Sequence, residues 1–488
     1  LPPLPASSSL LGPRQALDAA GITGPLQDLR LAMASGGRAV YLAVAAKDPK
    51  VAPSPRRVPP GTGTVVIDAH TGQVLRNVDE THALASASAF ASQVAGAGAG
   101  HGMVYQGTIN EDAFTHSRGL DAHRPLHVVQ LQDVEATLLY VSGKTGEVVR
   151  DAPRAERLWN YAGAWIHWLY PFRGNMFNAY WTDIVNWLSV AGIVVTLAGA
   201  IVGTLRWRFT RPYKSGSHSP YQGFMMRWHH ITGLVFAVIT LTWIFSGLMS
   251  MNPWRIFDNG APPLRAEAMH GGPLTIDASA ALPQTLLAAA SGAVRELRWT
   301  QTLGQTQVLA SSAIGRPVVL DAATATPRTL EPEALRSAAA RLLPDPVERI
   351  DVLKTYDLYY FARAPHTMTG GGDKPLPVLR VVFADRHATW VHLDPHTGAV
   401  LDRTDSSRRT SRWLFGMLHS WDWLPLLERR PLWDIVLIVL SLGGAALSLT
   451  GVVIGWRRLG RKLRVKAHKT EGTAVVPPHA ASSQRPGF

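Results

Sequence analysis

The sequence predicts a membrane α-helical bundle with duplicated α+β domains outside the membrane, and three observations lead there. Three long runs carry no charge, arginines stand at one end of each, and a pattern of residues recurs at an offset of 252 or 253. From Ile231 to Trp254 there is no Asp, Glu, Lys or Arg. A helix rising about 1.5 Å per residue needs about 20 such residues to cross about 30 Å of hydrocarbon. Ile184 to Leu205 and Ile435 to Trp456 are two further runs of 22 residues.

Orientation follows from the flanks. Arg206 and Arg208 close the first run, Arg227 precedes the second, and Arg457 and Arg458 close the third. Short basic segments stay in the cytoplasm, so the second helix runs outward and the other two run inward. In order, the chain reads as an extracytoplasmic region (1–157), an interfacial segment (158–182), a membrane helix (183–205), a basic cytoplasmic loop (206–227) and a second membrane helix (228–252). A second extracytoplasmic region (253–411), a second interfacial segment (412–434), a third membrane helix (435–456) and a basic, disordered cytoplasmic tail (457–488) follow. In a Gram-negative cell the large regions lie in the periplasm and the helices cross the inner membrane.

Charge and composition exclude several classes. The net charge of +13 sits almost wholly in two places: five basic and no acidic residues in 206–227, and eight basic against Glu471 from Arg457 onward. That excess is a topology signal and gives no reason to expect nucleic acid as a partner. With no cysteine, disulfides, iron–sulfur clusters, thiolate zinc and covalently attached haem are excluded. A metal centre must use His, Met or oxygen ligands.

The repeat runs through both outer regions. Val141–Val149 (VSGKTGEVV) matches Leu393–Leu401 (LDPHTGAVL), and Val66–Leu75 (VIDAHTGQVL) matches Val319–Leu330 (VLDAATATPRTL). Each is strand, turn and strand, with helices expected at Pro13–Ala20 and Pro332–Leu342. The same offset relates His167 in LWNYAGAWIHWLYPF to His419 in RWLFGMLHSWDWL, both on aromatic-rich interfacial segments. Residues 1–157 lack the entering helix that precedes their counterpart, so a further membrane helix is expected upstream of Leu1, with a histidine opposite His229.

Ionisable side chains at membrane depth point to function because leaving them unpaired in hydrocarbon is costly. His167, His419 and one of the adjacent His229 and His230 form the constellation. Across a pseudo-two-fold axis His167 and His419 could supply both axial ligands to one haem, and imidazole is a common haem ligand. Between the neighbouring pair His229 is favoured, since Gly233 four residues on lets a flat cofactor or another helix approach. His101, His116, His123, His127, His366, His387 and His392 read as solvated, and His70 and His396 as exposed turn residues. No phosphate-binding loop and no H-E-x-x-H motif is present.

These features together resemble the PepSY-associated transmembrane family, which includes inner-membrane siderophore reductases. The D-x-x-T-G-x-V turns at Asp68 and Asp394, the run from Tyr356 to Asp385, RWLFGMLHSWDW at Arg412 and WHHITGL at Trp228 carry the likeness. The resemblance implies four membrane helices, PepSY domains outside, one or two b-type haems on paired histidines, and electron delivery to ferric chelates. This chain departs from it in having three apolar runs. The function expected is a haem-b oxidoreductase reducing an iron(III)–siderophore, fed by a cytoplasmic donor or a quinol. The alternative is a non-enzymatic, membrane-anchored PepSY binding or regulatory protein.

Overall fold

The computed structural model describes the chain except residues 6–8, 47–62, 95–101, 174–175, 364–371 and 472–488. It comprises two compact units: a sheet unit of Leu1–Trp181 and Asp258–Ser407, and a helical unit of Thr182–Phe257 and Arg408–Phe488. The helices used below are α1 (Pro13–Ala19), α2 (Glu80–Val94), α3 (Trp181–Arg206), α4 (Phe224–Ser250), α5 (Pro283–Ala290), α6 (Pro332–Ala340) and α7 (Leu432–Glu471).

One turn, used four times, organises the sheet unit. Asp68 Oδ1 accepts the backbone N–H groups of His70 and Thr71, and Asp321 Oδ1 accepts those of Ala323 and Thr324. Ser142 Oγ does the same for Lys144 and Thr145, and Asp394 Oδ1 for His396. Four residues after each anchor the backbone turns left-handed, at Gly72, Gly146, Ala325 and Gly398, and the N–H there returns to the anchor's carbonyl. Glycine tolerates that conformation and an L side chain pays about 1–2 kcal/mol for it. Ala325, at φ +57°, carries this strain. Ala325→Gly is therefore expected to stabilise the sheet unit by about 1 kcal/mol, after the entropy that glycine itself loses. Gly398→Ala is expected to destabilise it by about 2–4 kcal/mol, because a Cβ there would lie 2.5 Å from Thr302 Cγ2 in a left-handed backbone. Calorimetric melting of the purified chain checks both.

The first turn of each copy belongs to a seven-stranded sheet of order β11-β10-β9-β1-β2-β3-β4. Its strands are β1 (Leu26–Ser35), β2 (Arg38–Ala45), β3 (Thr64–Asp68), β4 (Val74–Leu75), β9 (Val294–Thr302), β10 (Gln305–Ser312) and β11 (Val318–Asp321). At its centre β1 and β9 pair antiparallel, Leu29 opposite Trp299 and Leu31 opposite Leu297. These four side chains lie in one core with Tyr41, Ile67 and residues of α1 and α5. On the other face Arg30 reaches Glu147 and Glu296, and Arg298 pairs with Asp28. The regions 1–157 and 253–411, separate in sequence, are thus joined through one sheet and one core. Pairing β1 with β9 removes two unpaired strand edges and buries a face that a lone hairpin would leave wet.

Each copy adds a four-stranded antiparallel meander. The first has β5 (Met103–Ile109), β6 (Leu126–Leu131), β7 (Leu138–Ser142) and β8 (Val148–Ala152), and the second has β12 (Val347–Leu353), β13 (Val378–Phe383), β14 (Trp390–Leu393) and β15 (Val400–Thr404). Ala83, Ala87 and Ala91 of α2 cover the first, and Leu335, Ala338 and Ala339 of α6 cover the second.

The repeat continues into the interfacial segments. Tyr161–Ile166 and Trp413–Met417 are both wide π-type turns, and the chain then turns left-handed at Leu169 and Trp421. Trp181 Nε1 donates to Trp168 O, and 252 residues later Trp433 Nε1 donates to Ser420 O.

In the helical unit three helices are long and apolar enough to cross a bilayer: Asn178–Arg206, Phe224–Ser250 and Leu432–Lys462. Glycines set their spacing, as small residues do where lipid offers no hydrophobic drive. The position of a Cβ on Gly443 of α7 is occupied by the Phe236 ring of α4, and Gly192 of α3 lies against Ile244. Gly233 faces Leu447, so the small residue noted in the sequence admits a helix. The basic tail departs from expectation. α7 continues to Glu471, since Arg, Lys, Leu and Ala predominate after Trp456 and favour a helix, with Gly460 the weakest helix former among them. Residues 472–488 lie outside the described residues.

Candidate functional site

α4 is uncharged after Arg227 and begins with the two histidines whose roles the sequence leaves open. The structure separates them. His230 is buried, its Nε2 2.8 Å from Gly203 O and its Nδ1 2.8 Å from Ser219 Oγ. A carbonyl oxygen only accepts, so Nε2 carries the proton and Nδ1 accepts from the serine. Both ring nitrogens are occupied, and no lone pair is left for a metal. His230 instead holds the loop after α3, flanked by Trp207 and Tyr221.

His229 is half-buried and points the other way, toward α7. Its Nδ1 lies 3.3 Å from Leu447 O and 3.1 Å from Thr450 Oγ1. Thr450 Oγ1 donates to Ala446 O, which leaves its oxygen free to accept. By the same rule Nδ1 bears the proton and Nε2 presents its lone pair. Gly451 lies beside the ring, where a Cβ would come within 3.3 Å of Cε1.

His419 repeats the arrangement at the far end of α4. Its Nδ1 is 3.0 Å from Ser246 Oγ, and that hydroxyl donates to Trp243 O. Trp243 and Phe415 flank the ring, and Gly247 approaches its Cε1. Ser246 is fully buried. His229 and Ser246 are seventeen positions apart on one helix, about 26 Å along its axis. His167 belongs to the sheet unit, where it is exposed just beyond the π-type turn.

The fit to a haem can be judged on these donors. An axial imidazole needs its second nitrogen held by an acceptor, which fixes tautomer and ring orientation. The sequence offered no such acceptor, and the structure supplies Thr450 with Leu447 O for His229, and Ser246 for His419. Both are small hydroxyls inside uncharged runs, readable in sequence only as polar interruptions. His229 and His419 therefore fit haem ligation, and His230 does not. Among the described residues no three His, Cys, Asp or Glu side chains gather as a metal site.

The other histidines divide unexpectedly. His127, His387 and His392, expected in solvent, are buried, and His101 and His366 lie outside the described residues. His70 is exposed as expected, while His396 is half-buried and donates Nε2–H to Pro317 O. His392 belongs to a polar network on the second meander. Arg380 Nε donates to its Nε2 at 2.9 Å, and Arg380 Nη1 pairs with Asp357 at 2.7 Å. Lys374 pairs with Asp402 at 3.1 Å, and the Tyr360 ring stacks on His392. The first copy has Val128 and Tyr140 at the positions of Arg380 and His392, in an apolar cluster. Burial foremost, and then the Arg380 cation, pushes the His392 imidazole down to about 4.

The three apolar helices and paired antiparallel sheets make this a membrane protein with a duplicated sheet domain. No family model matches the chain, and no curated protein matches it.

Proposed function

We propose that the chain is a membrane haem-b oxidoreductase of the PepSY-associated type, passing electrons across the inner membrane to an iron(III) chelate such as a siderophore. The observation that carries this reading is the pair His229 and His419, each with Nδ1 held by an oxygen and each at one end of α4. A haem bound there would supply one-electron chemistry.

The chain's own residues do the rest. Thr450 and Ser246 hold the Nδ1 atoms of His229 and His419, and His229 offers Nε2 without a rearrangement. Gly451 and Gly247 keep the ring edges clear. The uncharged faces of α4 and α7 exclude water between the two levels. One electron delivered to a ferric chelate frees the metal, because oxygen-rich chelators hold softer Fe(II) poorly.

An absorption spectrum of the purified protein tests the reading. A Soret band with a sharp reduced α band is expected. A colourless preparation from haem-sufficient cells would leave the alternative, a PepSY binding or regulatory protein anchored by its helices. A finer test concerns the supporting oxygens. Thr450→Val and Ser246→Ala are each expected to lower haem affinity about 10–100-fold without removing a ligand, measured by competition with apomyoglobin.

A further inference from the structure

We propose that the basic face beside His229 is a docking surface for a soluble, acidic one-electron carrier protein. The inference rests on the haem reading above and on its orientation, and it names the class of the electron donor.

The loop from Arg206 to Arg227 carries five cations and no carboxylate. It is a folded cap. Arg208 N–H donates to His218 O and Tyr213 N–H to Ser217 O, while the Tyr213 hydroxyl donates to Arg206 O. Trp207 stacks on His218, and Arg206 reaches the Tyr221 hydroxyl. His230 then pins this cap from both sides, through Ser219 within it and Gly203 before it. The pin is the residue adjoining His229. Cations fixed in this way are presented beside the point where an electron must enter.

The same end receives the continuation of α7. Thr450 touches His229, and α7 runs on past Trp456 with Arg457, Arg458, Arg461 and Lys462 all exposed. Fifteen residues of helix follow Trp456, about 22 Å of rise. The polar headgroup layer adds only about 5–8 Å on each side of the hydrocarbon. The helix backbone therefore runs on beyond the headgroup layer. A quinol, uncharged and approaching from within the bilayer, has no use for such a face. An acidic carrier does, because opposite charge raises encounter rates and orients the approach.

The full chain in phosphatidylcholine nanodiscs, with haem reduction followed by stopped-flow absorbance, tests this. Reduced flavodoxin, an acidic flavoprotein, is the carrier probe, and dithionite and a short-chain quinol are the comparisons. Raising salt from about 50 to about 300 mM is expected to slow flavodoxin-driven reduction about tenfold. The triple variant Arg208→Glu, Arg211→Glu, Lys214→Glu is expected to slow it by a similar factor and to leave reduction by dithionite unchanged. Restoring the three positions as lysine should recover the rate.

A flavodoxin rate indifferent to salt and to the triple variant would overturn the docking surface. So would faster reduction by the quinol than by the carrier, or a variant that loses only its binding to phosphatidylglycerol vesicles. Absence of a Soret band would instead remove the haem reading itself, so the two failures are distinct.

Discussion

His229→Ala is expected to abolish one haem-b component of the spectrum, and His419→Ala another, while His230→Gln leaves both in place. Loss of a ligand exceeds the about 10–100-fold cost of losing the hydrogen bond that supports it, so each alanine variant should lose its component outright. The contrast between neighbours is the informative part. His229 leaves Nε2 with a lone pair, whereas both nitrogens of His230 are already engaged. The expected consequence of His230→Gln lies in the loop, where trypsin should cut at Arg208 or Lys214 about tenfold faster. If His230→Gln removed a haem component and His229→Ala did not, the assignment of roles would be reversed.

Acid should unfold the sheet unit through His392. Its imidazole titrates near 4 in the folded chain against about 6.5 when unfolded, so between these values the unfolded chain binds the extra proton. Stability is therefore fully present above about pH 6.5 and is lost as pH falls toward 4, by about 3 kcal/mol in all. The groups that face this ring are Arg380, Asp402, Lys374 and Asp357, with the Tyr360 ring stacked on it. Protonation would set a second cation 2.9 Å from Arg380 Nε, which now donates to the ring. His392→Gln keeps an acceptor for Arg380 and cannot be protonated, so its unfolding midpoint should fall less steeply over that range than that of the unsubstituted chain. Urea titrations from pH 4 to 7 on both proteins measure the difference, and equal slopes would refute the role of His392.

Several features were legible in the sequence for plain physical reasons. An uncharged run of 22 residues can be satisfied in few ways, so the three long apolar helices follow from composition alone. The turns were legible because a left-handed backbone position selects glycine and an anchoring Asp or Ser selects itself by its short acceptor side chain. The offset of 252 related the two interfacial segments, and the structure gives both the same π-type turn and tryptophan hydrogen bond.

Only the tertiary structure decided the rest. Local patterning says which face of β1 or β9 is apolar but not which strand will cover it, so the merging of both copies into one sheet could not be read from the repeat. His229 and His230 are indistinguishable as letters. Their roles diverge because successive positions on a helix point about 100° apart, one toward Thr450 on α7 and the other toward Gly203 and Ser219. His392 reads as solvated in the sequence because polar spacing cannot reveal that Arg380 and Tyr360 close over it. Sequence determined the long apolar helices and the turns, since those depend on neighbours along the chain, although it did not foresee that α7 continues through the basic tail to Glu471. Which histidine is free to bind a metal depends on Gly203 and Ser219 around His230 and on Thr450, more than two hundred positions from His229, and only the fold brings those together.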